Sequence, residues 1–148
     1  MKRFVFGLLA LAGVGVATSR KMGSRPEVAG VDSPLAPCGP YPNCTRISRA
    51  VPADAETVRR VAEAAVRTDR GLLTGRPDQI SLTDGGLRAT YRAAIFIDDL
   101  AVEVTEGAGG HSVLHLRSSS RVGRSDLGTN RRRVERLVAD VLARLGAS

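Results

Sequence analysis

The sequence predicts an α+β domain, a two-layer sandwich in which an antiparallel β meander carries two helices packed on one face. Three observations lead there. Between Leu87 and Arg117 apolar residues recur at every second position, the period of strands with one buried face. On either side, Val58–Val66 and Val134–Leu145 repeat at three and four, the period of amphipathic helices. Gly, Pro and Asp clusters punctuate these segments, as turns require.

Composition bounds the rest. The chain has 148 residues, enough for one domain with extensions. Aromatic residues make up only 3%, so the core must be aliphatic. The formal charge is +7, and 20 of the 22 basic residues are arginine. That balance favours anionic partners such as phosphate groups, membrane surfaces or nucleic acid. An arginine-rich codon bias would produce the same balance with no partner at all.

Residues 1–21 read as a signal or transmembrane anchor. Lys2 and Arg3 precede an uncharged apolar run from Phe4 to Ser19, and Arg20 and Lys21 close it. As a helix the run would span roughly 24 Å, short of a ~30 Å hydrocarbon core. Flanking basic side chains can snorkel and complete a short span. The expectation is an anchored or secreted chain with its domain outside the cytoplasm. Residues 22–36, with Gly, Ser and Pro and no period, read as a linker.

The domain is expected over 37–146. It opens on Cys38-Gly-Pro-Tyr-Pro-Asn-Cys44, which holds both cysteines. In an exported chain this reads as a disulfide closing a small loop, with two free thiols as the alternative. Asp54 is a good N-cap for the first helix and Gly71 a natural C-cap. Arg59, Arg60, Glu63, Arg67 and Arg70 take its outer face.

The strands follow. Leu87, Ala89, Tyr91, Ala93, Ile95 and Ile97 alternate with polar residues, as do Leu100, Val102 and Val104, then Leu114 and Leu116. Asp98-Asp99 and Gly107–Gly110 are the expected turns. A short earlier strand fits Gln79–Thr83. The second face of the sheet collects Arg88, Arg92, Glu103, His115, Arg117, Ser119 and Arg121. The last helix carries the stripe Val134, Leu137, Val138, Val141, Leu142 and Leu145, and Gly146 ends it. Stepping the stripe back by four places Asn130, then Asp126, on the inward side. Asp126 is expected either to cap the helix through the amides of Gly128 or Thr129, or to pair with Arg117 or Arg121.

The run Arg117-Ser-Ser-Ser-Arg121-Val-Gly123-Arg-Ser-Asp126-Leu-Gly128-Thr-Asn130-Arg-Arg-Arg133 resembles the signature of the family catalogued as domain of unknown function 1499. The Cys38–Cys44 turn resembles that family's opening motif, although Gly39 and Thr45-Arg46 depart from it. The resemblance covers roughly Pro37 to Gly146. It implies the signature residues Cys38, Pro42, Asn43, Cys44, Arg117, Ser118, Ser120, Arg121, Gly123, Asp126, Gly128, Asn130 and Arg133, and no established activity.

Three functions compete. The first is a non-catalytic binding site for an anionic small molecule or lipid headgroup. It would use Arg117, Ser118, Ser120, Arg121, Gly123, Asp126, Asn130 and Arg133, with the glycines allowing close backbone approach and the arginines gripping oxygen atoms in pairs. In the second, the same residues lock strand to helix in a purely structural interaction protein. The third is a small hydrolase-like enzyme using His115 and a nearby serine, although no nucleophile elbow is present. No cofactor motif stands out, and two cysteines cannot complete a zinc shell. Arg124, Arg131, Arg132, Arg133 and Arg136 form a basic cluster. With few aromatic residues for base stacking it suits anionic lipid better than nucleic acid.

Overall fold

The computed structural model describes residues 32–147. The anchor expected at 1–21 and linker residues 22–31 lie outside them. Among the described residues no helix is long and apolar enough to cross a membrane. Seven elements follow in order: β1 (Cys44–Val51), α1 (Ala55–Thr68), β2 (Gln79–Thr83), β3 (Gly86–Ala93), β4 (Phe96–Glu106), β5 (Ser112–Ser120) and α2 (Thr129–Arg144). The strands form one antiparallel sheet in the order β1-β5-β4-β3-β2.

Two layers result. β2 to β5 form the expected meander, and β1 adds to its β5 edge. Both helices lie on one sheet face, α1 over β3 and β4, α2 over β1 and β5. Between them sits an aliphatic core that includes Val51, Val58, Leu87, Leu100, Leu116 and Leu137, with Tyr91 its one aromatic. Fully burying a side chain of this size contributes about 1.5–3 kcal/mol. The other sheet face carries no helix among the described residues.

Caps and ends follow their chemistry. Asp54 accepts the Thr57 amide at 2.9 Å and starts α1. Gly146, in a left-handed conformation, follows the last turn of α2. Cys38 and Cys44 are joined by a disulfide.

Three elements differ from the sequence expectation. The β3–β4 turn falls at Ala94-Ile95, with Ala94 at φ 52°, and not at Asp98-Asp99, which lie inside β4. α1 ends at Asp69, whose amide bonds to Val66 O; Gly71 instead forms a bridge with Gly75 across a small loop. β1 has no counterpart among the expected strands. Only Ile47 and Val51 carry its apolar signal, and Arg46 and Arg49 dilute it, as charged residues on an edge strand commonly do.

Candidate functional site

Alternation along β5 divides the signature in two. Leu114, Leu116, Ser118 and Ser120 face the helices, whereas Val113, His115, Arg117 and Ser119 face the open side.

On the helix side, Arg133 is the centre. Its side chain is 1% exposed. Nη1 donates to Ser118 Oγ and Asn130 Oδ1, both at 2.8 Å. Nη2 donates to Asp98 Oδ2 at 2.8 Å and Thr74 Oγ1 at 3.3 Å. The guanidinium lies 4.1 Å from the Tyr91 ring centroid. Ser120 Oγ donates to Asp98 Oδ1 at 2.6 Å. Asn130 Nδ2 donates to Ser120 Oγ at 2.9 Å and to the Asn43 carbonyl at 3.0 Å. Ser118 Oγ donates to Asn130 Oδ1 at 2.6 Å. Desolvating two ions costs several kcal/mol each, and only this density of partners offsets it.

Neighbouring contacts extend this network to both helix ends. Asp126 accepts the amides of Gly128 at 2.9 Å and Asn130 at 2.6 Å, so the capping expectation holds and the pairing with Arg117 or Arg121 does not. Asp69, which closes α1, is gripped at both oxygens by Arg136, at 2.6 and 3.0 Å. That contact raises the Arg136 pKa. Tyr91 is pushed well above the usual phenol range by burial, then by the nearby Asp69 carboxylate. Its hydroxyl makes no hydrogen bond of good geometry among the described residues.

The open face presents a different arrangement. One register row crosses the sheet as Ser81, Arg88, Ala101, Arg117 and Arg46. The small side chain of Ala101 sits between two arginines and leaves a hollow. Together with Gln79, Thr90, Asp99 and Arg121 it lines an open trough of about 700 Å³. Arg88 pairs with Glu103 at 2.8 Å. Arg121 grips Asp99 with two bonds of 2.9 Å, which raise its pKa. Arg117 has no carboxylate partner among the described residues. Its Nη1 donates to Ser119 Oγ at 2.9 Å, and its Nε is buried without a partner.

His115 lies next along this face but is fully buried. Nδ1 sits 2.7 Å from Ser48 Oγ and Nε2 2.9 Å from Thr105 Oγ1. Burial depresses its pKa, Glu103 partly opposes that shift, and Arg46 adds to it. Ser48 is buried as well. Both ring nitrogens are thus engaged by hydroxyls, and the serine is shielded from solvent. A hydrolytic pair needs a serine that a substrate can reach.

The eight residues read together as one site occupy different surroundings in the fold. Ser118, Ser120, Asn130 and Arg133 belong to the buried network. Asp126 caps α2, and Arg117 and Arg121 line the trough. Gly123 and Gly128 serve backbone conformation, at φ 90° and 77°. A Cβ on Gly123 would meet only Ser125 O, at 3.8 Å, so the positive φ and not crowding favours glycine there. Arg133 is also no part of a surface basic patch. Sequence reasoning missed Asp98, Asp99, Thr74 and Ala101. Adjacent acids on a strand must face opposite sides, which is the signal that could have found the first two.

The family described as "Protein of unknown function (DUF1499)" matches residues 34–141. No curated protein matches the chain. Among solved structures it is similar to TTHA0849 from Thermus thermophilus, at 15% identity over 71% of this chain and 99% of that chain, with a TM-score of 0.42. With the family match spanning most of its length, and with the ring and the strand–turn–helix signature both in place, the chain belongs to the DUF1499 family.

Proposed function

We propose that this chain is a non-catalytic binding domain, held outside the cytoplasm by its N-terminal segment, and that its open sheet face takes a phosphate or carboxylate group on Arg117. The observation that carries the reading is Arg117 itself. Two of the trough arginines, Arg88 and Arg121, are neutralised by acids; Arg117, at the floor, is not. A guanidinium that lines a hollow and carries no carboxylate offers its terminal nitrogens to a ligand's oxygen atoms. Thr90, Ser81 and Gln79 on the opposite wall supply further hydrogen-bonding groups. The disulfide and the basic-flanked apolar run support an oxidising compartment at a membrane.

The test is thermal melting of the full, oxidised chain in neutral detergent. Inorganic phosphate, sugar acids, short carboxylates and glycerophosphate headgroups are each compared with sodium chloride at equal ionic strength. The first three report a free small anion, and the last a lipid source. At a hundred times its dissociation constant a ligand adds about 2.7 kcal/mol, which moves the melt by several degrees. The expected result is a selective rise that Arg117→Ala abolishes. A melt that follows ionic strength alone sinks the reading.

A further inference from the structure

The large apolar side chains that the fold leaves in water are not scattered. Leu72, Leu73, Ile95, Phe96, Val122 and Leu127 are all exposed, Leu72 at 96% and Leu127 at 80%. They come from three separate segments: the α1–β2 loop, the β3–β4 turn with the first residue of β4, and the β5–α2 connection. The topology brings these to one end of the sandwich. Ser120, the last residue of β5, pairs with Asp98 near the start of β4. The Thr74 hydroxyl meets Arg133, and Asn130 meets the Asn43 carbonyl just before β1. Among the described residues, the opposite end contributes only Leu82 to the exposed large apolar side chains.

Two further features mark this end. Leu127 holds a left-handed backbone at φ 53° while exposed to water. A glycine there would avoid the conformational cost, and a polar residue the exposure. The end is also basic. Arg124, Arg131 and Arg132 are exposed and face no acid within ion-pair distance among the described residues, and Arg124 lies 5.5 Å from the Tyr41 ring. The exposed acids Asp54, Glu56, Asp84 and Glu106 lie at the other end, whereas Asp78, 3.8 Å from Arg92, stands at this one, and Glu135 lies in the N-terminal half of α2.

We propose that this end docks on an anionic membrane surface, its loop-tip leucines and aromatic ring entering the headgroup boundary and its arginines meeting lipid phosphates. Single apolar tips alternating with guanidiniums suit a soft interface, where each tip finds its own depth. The chain outside the described residues fits this orientation. Its apolar run ends at Ser19, and the 16 residues from Arg20 to Leu35 reach at most ~55 Å. It enters the domain through Cys38, bonded to Cys44 at the start of β1, on this same end. Docking does not depend on the trough, and either can fail alone.

The chain has no tryptophan, so one introduced indole reports one position. Full-length Leu72→Trp and Phe96→Trp are reconstituted into vesicles with brominated acyl chains, of pure phosphatidylcholine or with added phosphatidylglycerol. Leu82→Trp, at the far end, is the control for simple tethering. All three positions are exposed and tolerate the change. Docking predicts that the Leu72→Trp and Phe96→Trp variants lose fluorescence in the phosphatidylglycerol vesicles and that the Leu82→Trp variant does not. Reversing Arg124, Arg131 and Arg132 to Glu shifts the docked equilibrium by on the order of 100-fold and removes the quenching. Equal quenching at all three positions, or equal quenching in both lipids, overturns the proposal. So does a blue shift that appears without lipid and grows with protein concentration, because a second copy would then cover this end.

Discussion

Among the described residues, Arg133 and Arg117 are the two arginines whose Nε atoms are buried without a partner, and they stand on opposite faces of the same sheet. Arg133 has an acid, three side-chain oxygens and an aromatic ring around it. Arg117 has one serine hydroxyl. Both belong to one sequence signature, and strand alternation separates them. The difference is what distinguishes architecture from a receptor: a buried cation whose partners are all internal holds the fold together, whereas one whose counter-charge is missing leaves room for a ligand.

The largest expected effect lies on the closed side. Arg133→Ala strands Asp98 in a buried site and should cost about 3–5 kcal/mol, a large share of the roughly 5–15 kcal/mol typical of a whole domain. Urea unfolding of Arg133→Ala, Asp98→Ala and the double variant measures it. The double variant should cost clearly less than the sum, since neither charge is then left alone. Additive losses would mean that the pair is not the unit holding strand to helix.

Asn130 comes next. Its amide makes four side-chain hydrogen bonds, which tie α2 to β5 and to the chain entering β1. Asn130→Ala should cost about 2–3 kcal/mol, the penalty of leaving buried polar groups unpaired. The phosphate-induced rise in melting temperature should survive in this variant. Loss of that rise with the fold intact would break the division between the two faces.

His115 tests the boundary between them, because it faces the open side yet is fully buried. Burial holds its folded pKa below the ordinary 6.5. As pH falls through about 6.5 the unfolded chain therefore takes up a proton that the folded chain refuses. Stability is full above that pH and declines below it, towards the folded pKa. The urea midpoint should fall between about pH 7.5 and 5.5 in the wild type and change less in His115→Gln. Equal slopes would show that His115 is not the titrating group.

Much of the fold is legible in the sequence, because period and punctuation report it directly. The α2 stripe places Asn130 inward, and the alternation of β5 puts His115 and Arg117 on the open side. The losses have physical causes. Ala94-Ile95 turns the chain with no Gly, Asn or Asp to announce it, while Asp98-Asp99 carries a turn signature and is strand. An edge strand with two apolar residues has too little pattern to read. The site was illegible for a related reason. Serine, arginine and asparagine in one run look like one surface, and only the side of the pleat assigns each to a lock or a trough. That assignment needs the pairing register, which joins Asp98 to Ser120 and Ala101 to both Arg88 and Arg117.

Arg117 carries the smallest stability effect and the sharpest contrast. Removing an arginine usually strands an acid, but no acid among the described residues pairs with this one. Arg117→Leu also removes a buried donor that has no acceptor, and it keeps much of the aliphatic packing of the stem. Its stability should therefore change by no more than about 1 kcal/mol in either direction, while the phosphate-induced rise disappears. Urea unfolding and ligand melts on the same preparation separate the two quantities. A loss near that of Arg133→Ala would place Arg117 in the architecture after all, and the open face would then have no free receptor at its floor.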